Sequence, residues 1–411
     1  MTTRIGRRSF LTGTAALAAA ATWPRPAFAQ GKPVKIGLLT VKTGPLAAGG
    51  IQMEQGTVCF LKDRNYTLAG RKVELVVADT GGNPAGTKTK IQELVERDNV
   101  DMVFGPLAAF ELLAITDYAA QAKMPILSLA AAEDMTQRRP NPYFIRASAT
   151  SSQNMHPLAD YAAKELKLKR VITIADDFAF GHEQMAGFGR VFEDAGGRVA
   201  RKLWPPLVTP DYTPYVAQIS GADAVVQGFA GSNPLKFMKQ YADAGLKLPV
   251  LGGGTAGDDA LLKSFGDESV GLISCSAYTG DLDTPSNKRL IDRMVREYGN
   301  IPGLYSAGLY INGQVAEAAL EKTGGKTDDR EAFNRALRAV SLTDTPRGPF
   351  SFDRFGNVVG NFYVRRCERK GDKLVNTTLK TYQKVSQFWT YDEKWFLAQP
   401  VYSRDYPPLK S

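Results

Sequence analysis

Read for hydrophobic and polar spacing, the chain alternates short apolar runs with helical stripes. Val34 to Val41 is mostly apolar and bounded by turn residues, which predicts a strand buried on both faces, as in a parallel sheet. Thr43-Gly44-Pro45 and the small residues Leu46 to Gly50 then read as a loop, and from Gln52 the stripe Met53, Gly56, Thr57, Phe60 predicts a helix. The pattern recurs. Strands are predicted at Val73 to Asp79, Met102 to Phe104 and Pro125 to Leu129, with helices from Ala85 to Arg97 and from Glu111 to Lys123. Strand and helix alternating at this spacing describe a doubly wound α/β sheet.

After the extended segment Tyr143 to Ala147 the same plan starts again. Helices are predicted over Met155 to Leu166, up to Ala195, and over Pro234 to Ala244; strands over Arg170 to Ala175, Ala224 to Phe229, Pro249 to Gly252 and Gly271 to Ala277. Two further helices follow, Ser286 to Tyr298 and Ser306 to Lys322, and the tail from Gly348 is rich in strand formers, with a turn at Phe352 to Asn357. The length exceeds one ordinary core, so two lobes are expected.

The amino terminus changes the picture. Arg7-Arg8-Ser9-Phe10-Leu11 leads into an apolar run from Ala15 to Ala21 and then into Ala27-Phe28-Ala29. This is the order of a twin-arginine export signal with a cleavage site after Ala29. The run is shorter than the roughly 20 residues that a membrane span needs. Export would remove four arginines and no acid, taking the formal charge from +9 by four to +5, spread along the chain without a basic block. Nucleic acid is not an indicated partner. The three cysteines, Cys59, Cys275 and Cys367, are no disulfide framework. With only two histidines and no Cys/His cluster, neither a metal site nor a cofactor is indicated. No G-x-G-x-x-G follows the first strand and no G-x-S-x-G elbow occurs, so neither a dehydrogenase nor a hydrolase is supported and no catalytic residue is assigned.

The ordered set Ile36-Gly37-Leu38-Leu39, Thr43-Gly44-Pro45, Asp79-Thr80, Phe104-Gly105-Pro106, Tyr143 to Arg146, Asp176-Asp177 with Phe180-Gly181, Gly245-Leu246 and Gly348-Pro349-Phe350 with Phe352-Asp353 resembles one family. It looks like the periplasmic solute-binding proteins of ATP-driven importers, of the branched-chain amino acid (Leu/Ile/Val) type, across essentially the whole mature chain. The resemblance implies an α/β fold of two doubly wound lobes joined by three crossings, with a ligand cleft between lobes that close by a hinge. It places the crossings near Arg146 to Ala149, Ser274 to Tyr278 and Gly348 to Asp353. Lobe 1 is then 30–146 plus 278–348, and lobe 2 is 147–277 plus 349–411. It also implies a periplasmic, monomeric protein that takes a small-molecule ligand to a membrane permease, or a sensor subunit with the same fold.

Carried over position by position, the family's site falls on Gly49, Ala108, Ala109, Phe110, Ala130, Ala131, Phe180, Phe229 and Gly254, with Tyr305 nearby. Several positions depart from the family's pattern. Gly49 stands where an aromatic is common, Ala108-Ala109-Phe110 where a serine receives the ligand's carboxylate, Phe180 where a tyrosine is usual, and Gly252 to Thr255 where a carboxylate receives its ammonium. Phe180 and Phe229 read either as ligand contacts or as core aromatics. Asp176 and Asp177 read as a helix cap or as contacts, and Arg146 as a structural link or as a ligand contact. The backbone N–H groups at Ala108-Ala109 and Ala130-Ala131 are expected to receive an anion. Together these changes point to a planar aromatic carboxylate, of benzoate or phenylpropenoate type. A branched-chain amino acid and a neutral amide or urea-like solute are the alternatives. The run Val385 to Tyr391 resembles the tail of family members linked to aromatic acids.

Overall fold

A computed structural model describes residues 31–209 and 211–410; the expected export signal lies outside the described residues. The first lobe holds β1 (Val34–Thr40), α1 (Ala47–Asp63), β2 (Thr67–Leu68), β3 (Arg71–Asp79), α2 (Pro84–Gln92), β4 (Met102–Phe104), α3 (Ala109–Gln121), β5 (Ile126–Leu127) and β6 (Phe144–Ile145). Its six strands lie in the order β2-β3-β1-β4-β5-β6. All pairings are parallel except β2 with β3. The second lobe holds α4 (Met155–Lys164), β7 (Arg170–Ala175), α5 (Ala179–Asp194), β8 (Arg198–Leu203), α6 (Thr213–Val216), β9 (Ala224–Gly228), α7 (Asn233–Asp243), β10 (Val250–Gly252) and β11 (Ile273–Ser276). The chain then returns to lobe 1 as α8 (Pro285–Tyr298), α9 (Leu304–Lys322) and α10 (Arg330–Arg338), whose buried faces share one core with β1 and α1. It finishes with β12 (Ser341–Leu342), β13 (Phe350–Phe352), β14 (Val358–Lys370), β15 (Lys373–Val385) and α11 (Glu393–Ala398). The second sheet runs β12-β13-β14-β11-β10-β9-β7-β8, with β15 on the outside of β14.

The two-lobed α/β architecture expected from the spacing is present, with one difference. The second sheet is mixed, because the long β14 pairs antiparallel with β11. The sheets are covered in the usual way for such folds. α1, α8 and α9 pack on one face of the first sheet and α2 and α3 on the other. In the second lobe, α4 and α5 share a core with β7 and β9 on one side, and α6 and α7 cover the other.

The segment read as a glycine-rich loop is helix. α1 begins at Ala47, and its small residues serve close packing. A Cβ on Gly50 would lie 1.8 Å from the Val41 carbonyl oxygen, and one on Gly56 would lie 2.1 Å from the Ser306 carbonyl oxygen of α9. A loop of small residues and a tight helix contact call for the same side chains, and here packing claims them. All three cysteines are buried and unpaired. Burial pushes the Cys59 thiol up to about 12.

Candidate functional site

The carboxyl ends of the two sheets face a narrow cleft lined from both lobes. Each strand end contributes through the residues that follow it. Leu107, Ala108 and Ala109 lead from β4 into α3, and Leu129 and Ala131 follow β5. Phe178 and Phe180 lead from β7 into α5, Ala230 follows β9, and Gly254 and Thr255 follow β10. Leu304 and Tyr305 enter from the start of α9, and Ser148, Ala149 and Asn154 enter from the first crossing. No charged side chain occurs among these lining residues.

Of the residues expected at the site, Ala108, Ala109, Ala131, Phe180, Gly254 and Tyr305 line this cleft. Gly49 stands behind it: a Cβ there would lie 3.0 Å from both Leu107 Cδ1 and Tyr305 Cε2, so its missing side chain seats two lining residues. Phe110 lies off the lining and packs edge-on against Phe178, with ring centroids 5.7 Å apart. Ala130 is buried; its N–H donates to Ser128 Oγ at 2.9 Å and its carbonyl accepts from Arg146 Nε at 3.1 Å. Phe229 is a correction. It is fully buried among Tyr212 and Phe237, at centroid distances of 5.1 and 5.0 Å, on the far face of the second sheet. It follows β9 directly and keeps the in-out alternation of the strand, which turns it away from the cleft.

The electrostatics differ from the expectation in the same detail. The Ala108 N–H is not free; it donates to Glu111 Oε2 at 2.9 Å. Glu111 is buried at the start of α3 and also accepts from Thr80 and Thr87. Desolvation raises its carboxyl above the usual range. The N–H groups of Ala109 and Ala131, by contrast, have no partner among the described residues. Asp176 and Asp177 neither cap α5 nor line the cleft. Asp176 accepts from the Ala230 N–H at 2.7 Å and from Asn233 at 2.8 Å, fixing the loop after β9. Asp177 pairs with His182 and Arg404.

Around the cleft the lobes touch directly. The Leu304 N–H of lobe 1 donates to Asp258 Oδ2 at 3.0 Å, the Glu133 N–H donates to Glu183 Oε1 on α5 at 3.3 Å, and the Ser232 N–H donates to the Pro45 carbonyl at 3.3 Å. The cleft residues that sequence reasoning missed are divided evenly between large apolar side chains and small or polar ones. Ser148 and Asn154 sit in the run Ala147 to Asn154, which has no periodicity to mark an inward face.

Comparison with known proteins agrees with this geometry. The family model described as periplasmic binding protein matches residues 33–372. A Leu/Ile/Val-binding protein homolog 6 from Brucella suis is 29% identical over 363 residues, covering 85% of this chain and 92% of that protein. A solute binding protein of an ABC transporter from Rhodopseudomonas palustris BisB5, solved in complex with 3,4-dihydroxy benzoic acid, is 31% identical with a TM-score of 0.82, covering 86% of this chain and 98% of the other. A second R. palustris solute binding protein, in complex with benzoate, is 27% identical with a TM-score of 0.79, covering 84% and 96%. Proteins of this family act outside the cytoplasm, bind small molecules and deliver them to a membrane permease. The chain belongs to the periplasmic binding protein family, in its two-lobed type I form, and is a solute-binding protein of an ABC transporter rather than an enzyme.

Proposed function

We propose that the solute is a planar aromatic carboxylate of benzoate or phenylpropenoate type. The observation that carries this reading is the lining of the cleft, which is largely apolar and aromatic, with three uncharged polar residues and no charged side chain. An amino acid would bring a desolvated ammonium, which needs a carboxylate or several acceptors close by. Three acids close in sequence to lining residues are engaged elsewhere: Glu111 with Ala108 and two threonines, Asp176 with Ala230 and Asn233, Asp258 with Leu304 and Ala260. An aromatic ring has partners in Phe178 and Phe180, which are stacked at 6.0 Å, and in Tyr305. Each such pair adds roughly 0.5–1.5 kcal/mol beyond area burial. The unpaired N–H groups of Ala109 and Ala131 suit the carboxylate. The relatives solved with benzoate and with 3,4-dihydroxy benzoic acid support the same class.

The names of the curated relatives favour a second reading, a branched-chain amino acid. Calorimetric titration of the purified protein with benzoate, coumarate, leucine and a short amide separates the two. Tight binding of an aromatic acid with no response to leucine is expected; tight leucine binding with no response to either acid overturns the proposal. The same reading includes an exported chain cleaved after Ala29 and acting as a monomer. Its lobes are 30–146 plus 278–348 and 147–277 plus 349–411, and they close on the ligand by a hinge.

A further inference from the structure

Two polar side chains in the cleft have no partner. Asn154 is 8% exposed and Ser148 7% exposed, and both line the cavity. Ser148 Oγ and Asn154 Oδ1 are shut off from solvent, and neither makes a hydrogen bond. Asn154 stands at the N-cap of α4, where an asparagine ordinarily caps the helix. Here its backbone is already helical (φ −73°, ψ −30°) and its side chain makes no cap bond. The Ser148 backbone is held still, because Arg347 Nη1 donates to the carbonyls of Ala147 and Ser148. Buried polar groups in a native protein are almost always satisfied. Two unsatisfied ones, both in the lining of one binding cleft, mark the position of a polar group on the ligand.

The chemistry of that group follows from the donors and acceptors. A side-chain amide presents both an acceptor and donors, whichever way it is turned. A carboxylate accepts only and leaves the amide oxygen unsatisfied. A hydroxyl gives one proton and accepts another, and the Ser148 hydroxyl rotates to suit it. We propose that Asn154 and Ser148 read a hydroxyl on the ligand's ring, so that the preferred solutes are hydroxylated aromatic acids. This rests on the aromatic-acid reading and narrows it. A cleft built to hydrogen-bond a hydroxyl rejects the analogue that lacks it, because its own polar groups are then left unpaired.

The test compares pairs of acids that differ by one hydroxyl: benzoate with 4-hydroxybenzoate, and cinnamate with 4-coumarate. Each is titrated calorimetrically into the full-length exported protein and into the Asn154→Leu and Ser148→Ala variants. In the unaltered protein the hydroxylated member of at least one pair binds tenfold or more tighter. Asn154→Leu brings the ratio within that pair to between one and three, and Ser148→Ala brings it part of the way. Equal affinities within both pairs, with the acids still bound, overturn this inference and leave the aromatic-acid reading standing. Binding of no aromatic acid overturns both. The comparison in the unaltered protein decides the matter even if a variant fails to fold.

Discussion

Arg365 offers the sharpest test of how the cleft is held. It lies on β14 and is 1% exposed. Its guanidinium meets Asp259 at 2.5 Å and donates to Ser274 Oγ, to the Tyr278 carbonyl, and to the carbonyls of Gly254 and Gly257 at 3.2 and 2.8 Å. Gly254 lines the cleft, so one side chain ties that loop to the sheet behind it. Arg365→Met keeps the length and removes the charge. It leaves Asp259 buried beside Asn376 without a cation and the carbonyls of Tyr278 and Gly254 without this donor, while the Gly257 carbonyl keeps Asn376. Breaking a buried pair from one side costs about 3–5 kcal/mol, and that is the expected loss in urea unfolding followed by circular dichroism. Adding Asp259→Leu removes the stranded carboxylate, so the double variant should recover at least about 1 kcal/mol relative to the sum of the single changes. A loss below about 1 kcal/mol for Arg365→Met, or strict additivity in the double variant, refutes the argument.

Three further outcomes are expected. Gly56→Ala places a methyl 2.1 Å from the Ser306 carbonyl and should destabilise by about 1–3 kcal/mol through overpacking of α1 on α9, read by thermal unfolding. Ala109→Leu fills the mouth of α3 and should weaken ligand binding tenfold or more by calorimetry; retained affinity would move the site elsewhere. Stability should also fall from pH 5.5 to pH 8.5, because burial pushes the carboxyls of Glu133 and Asp176 up to about 7 and that of Asp258 up to about 6. Their folded forms hold protons that the unfolded chain has released above about 4.5, so their contribution is complete below that pH and lost as pH rises through 6 to 7. His156 acts in the opposite sense. Burial holds it down at about 3, so its contribution is complete above about 6.5 and lost as pH falls toward 3. Glu183→Gln, which removes the partner carboxyl of Glu133, should flatten the alkaline side of a urea-midpoint profile; an unchanged slope counts against the pair.

The regular elements were legible because their burial is periodic. β7 spans Arg170–Ala175 as the apolar run predicts, and Met53, Gly56, Thr57 and Phe60 all face inward on α1. Small residues were ambiguous. Ala47 to Gly50 read as loop and fold as helix, since short side chains serve a turn and a close helix contact equally well. Phe229 was misplaced because a residue just past a strand belongs to either face until the register is known. Phe110 was read as lining and instead backs Phe178. Ser148 and Asn154 were invisible in sequence for a simpler reason. Six of the eight residues from Ala147 to Asn154 are polar, and nothing local says which of them meets the opposite lobe.

Arg146 shows how the cleft comes to be free of charge. Its sequence position at a crossing left open whether it touches ligand or links structure. In the fold it is fully buried and donates to the carbonyls of Ala130 and Ala132, to Thr136 and to Asn357. Arg347, in the turn between β12 and β13, does the same for the first crossing, reaching Ala147 and Ser148, and also bonds Asn361. Arg365 does it beside Ser274 to Tyr278. Two buried arginines, Arg146 and Arg347, therefore serve the first crossing, and Arg365 serves the second from β14. A crossing ends strands and exposes carbonyls that the ladder no longer uses, and a guanidinium offers five fixed donors to satisfy them. Lysine could not, because its single ammonium lacks the fork. The cations thus stand at the crossings, bonded to backbone, and the lining is left to small, aliphatic, aromatic and uncharged polar residues. A solute with its own positive charge would find no counter-ion there, whereas a ring with a carboxylate and a hydroxyl finds aromatic faces, unpaired N–H groups and an unpaired amide.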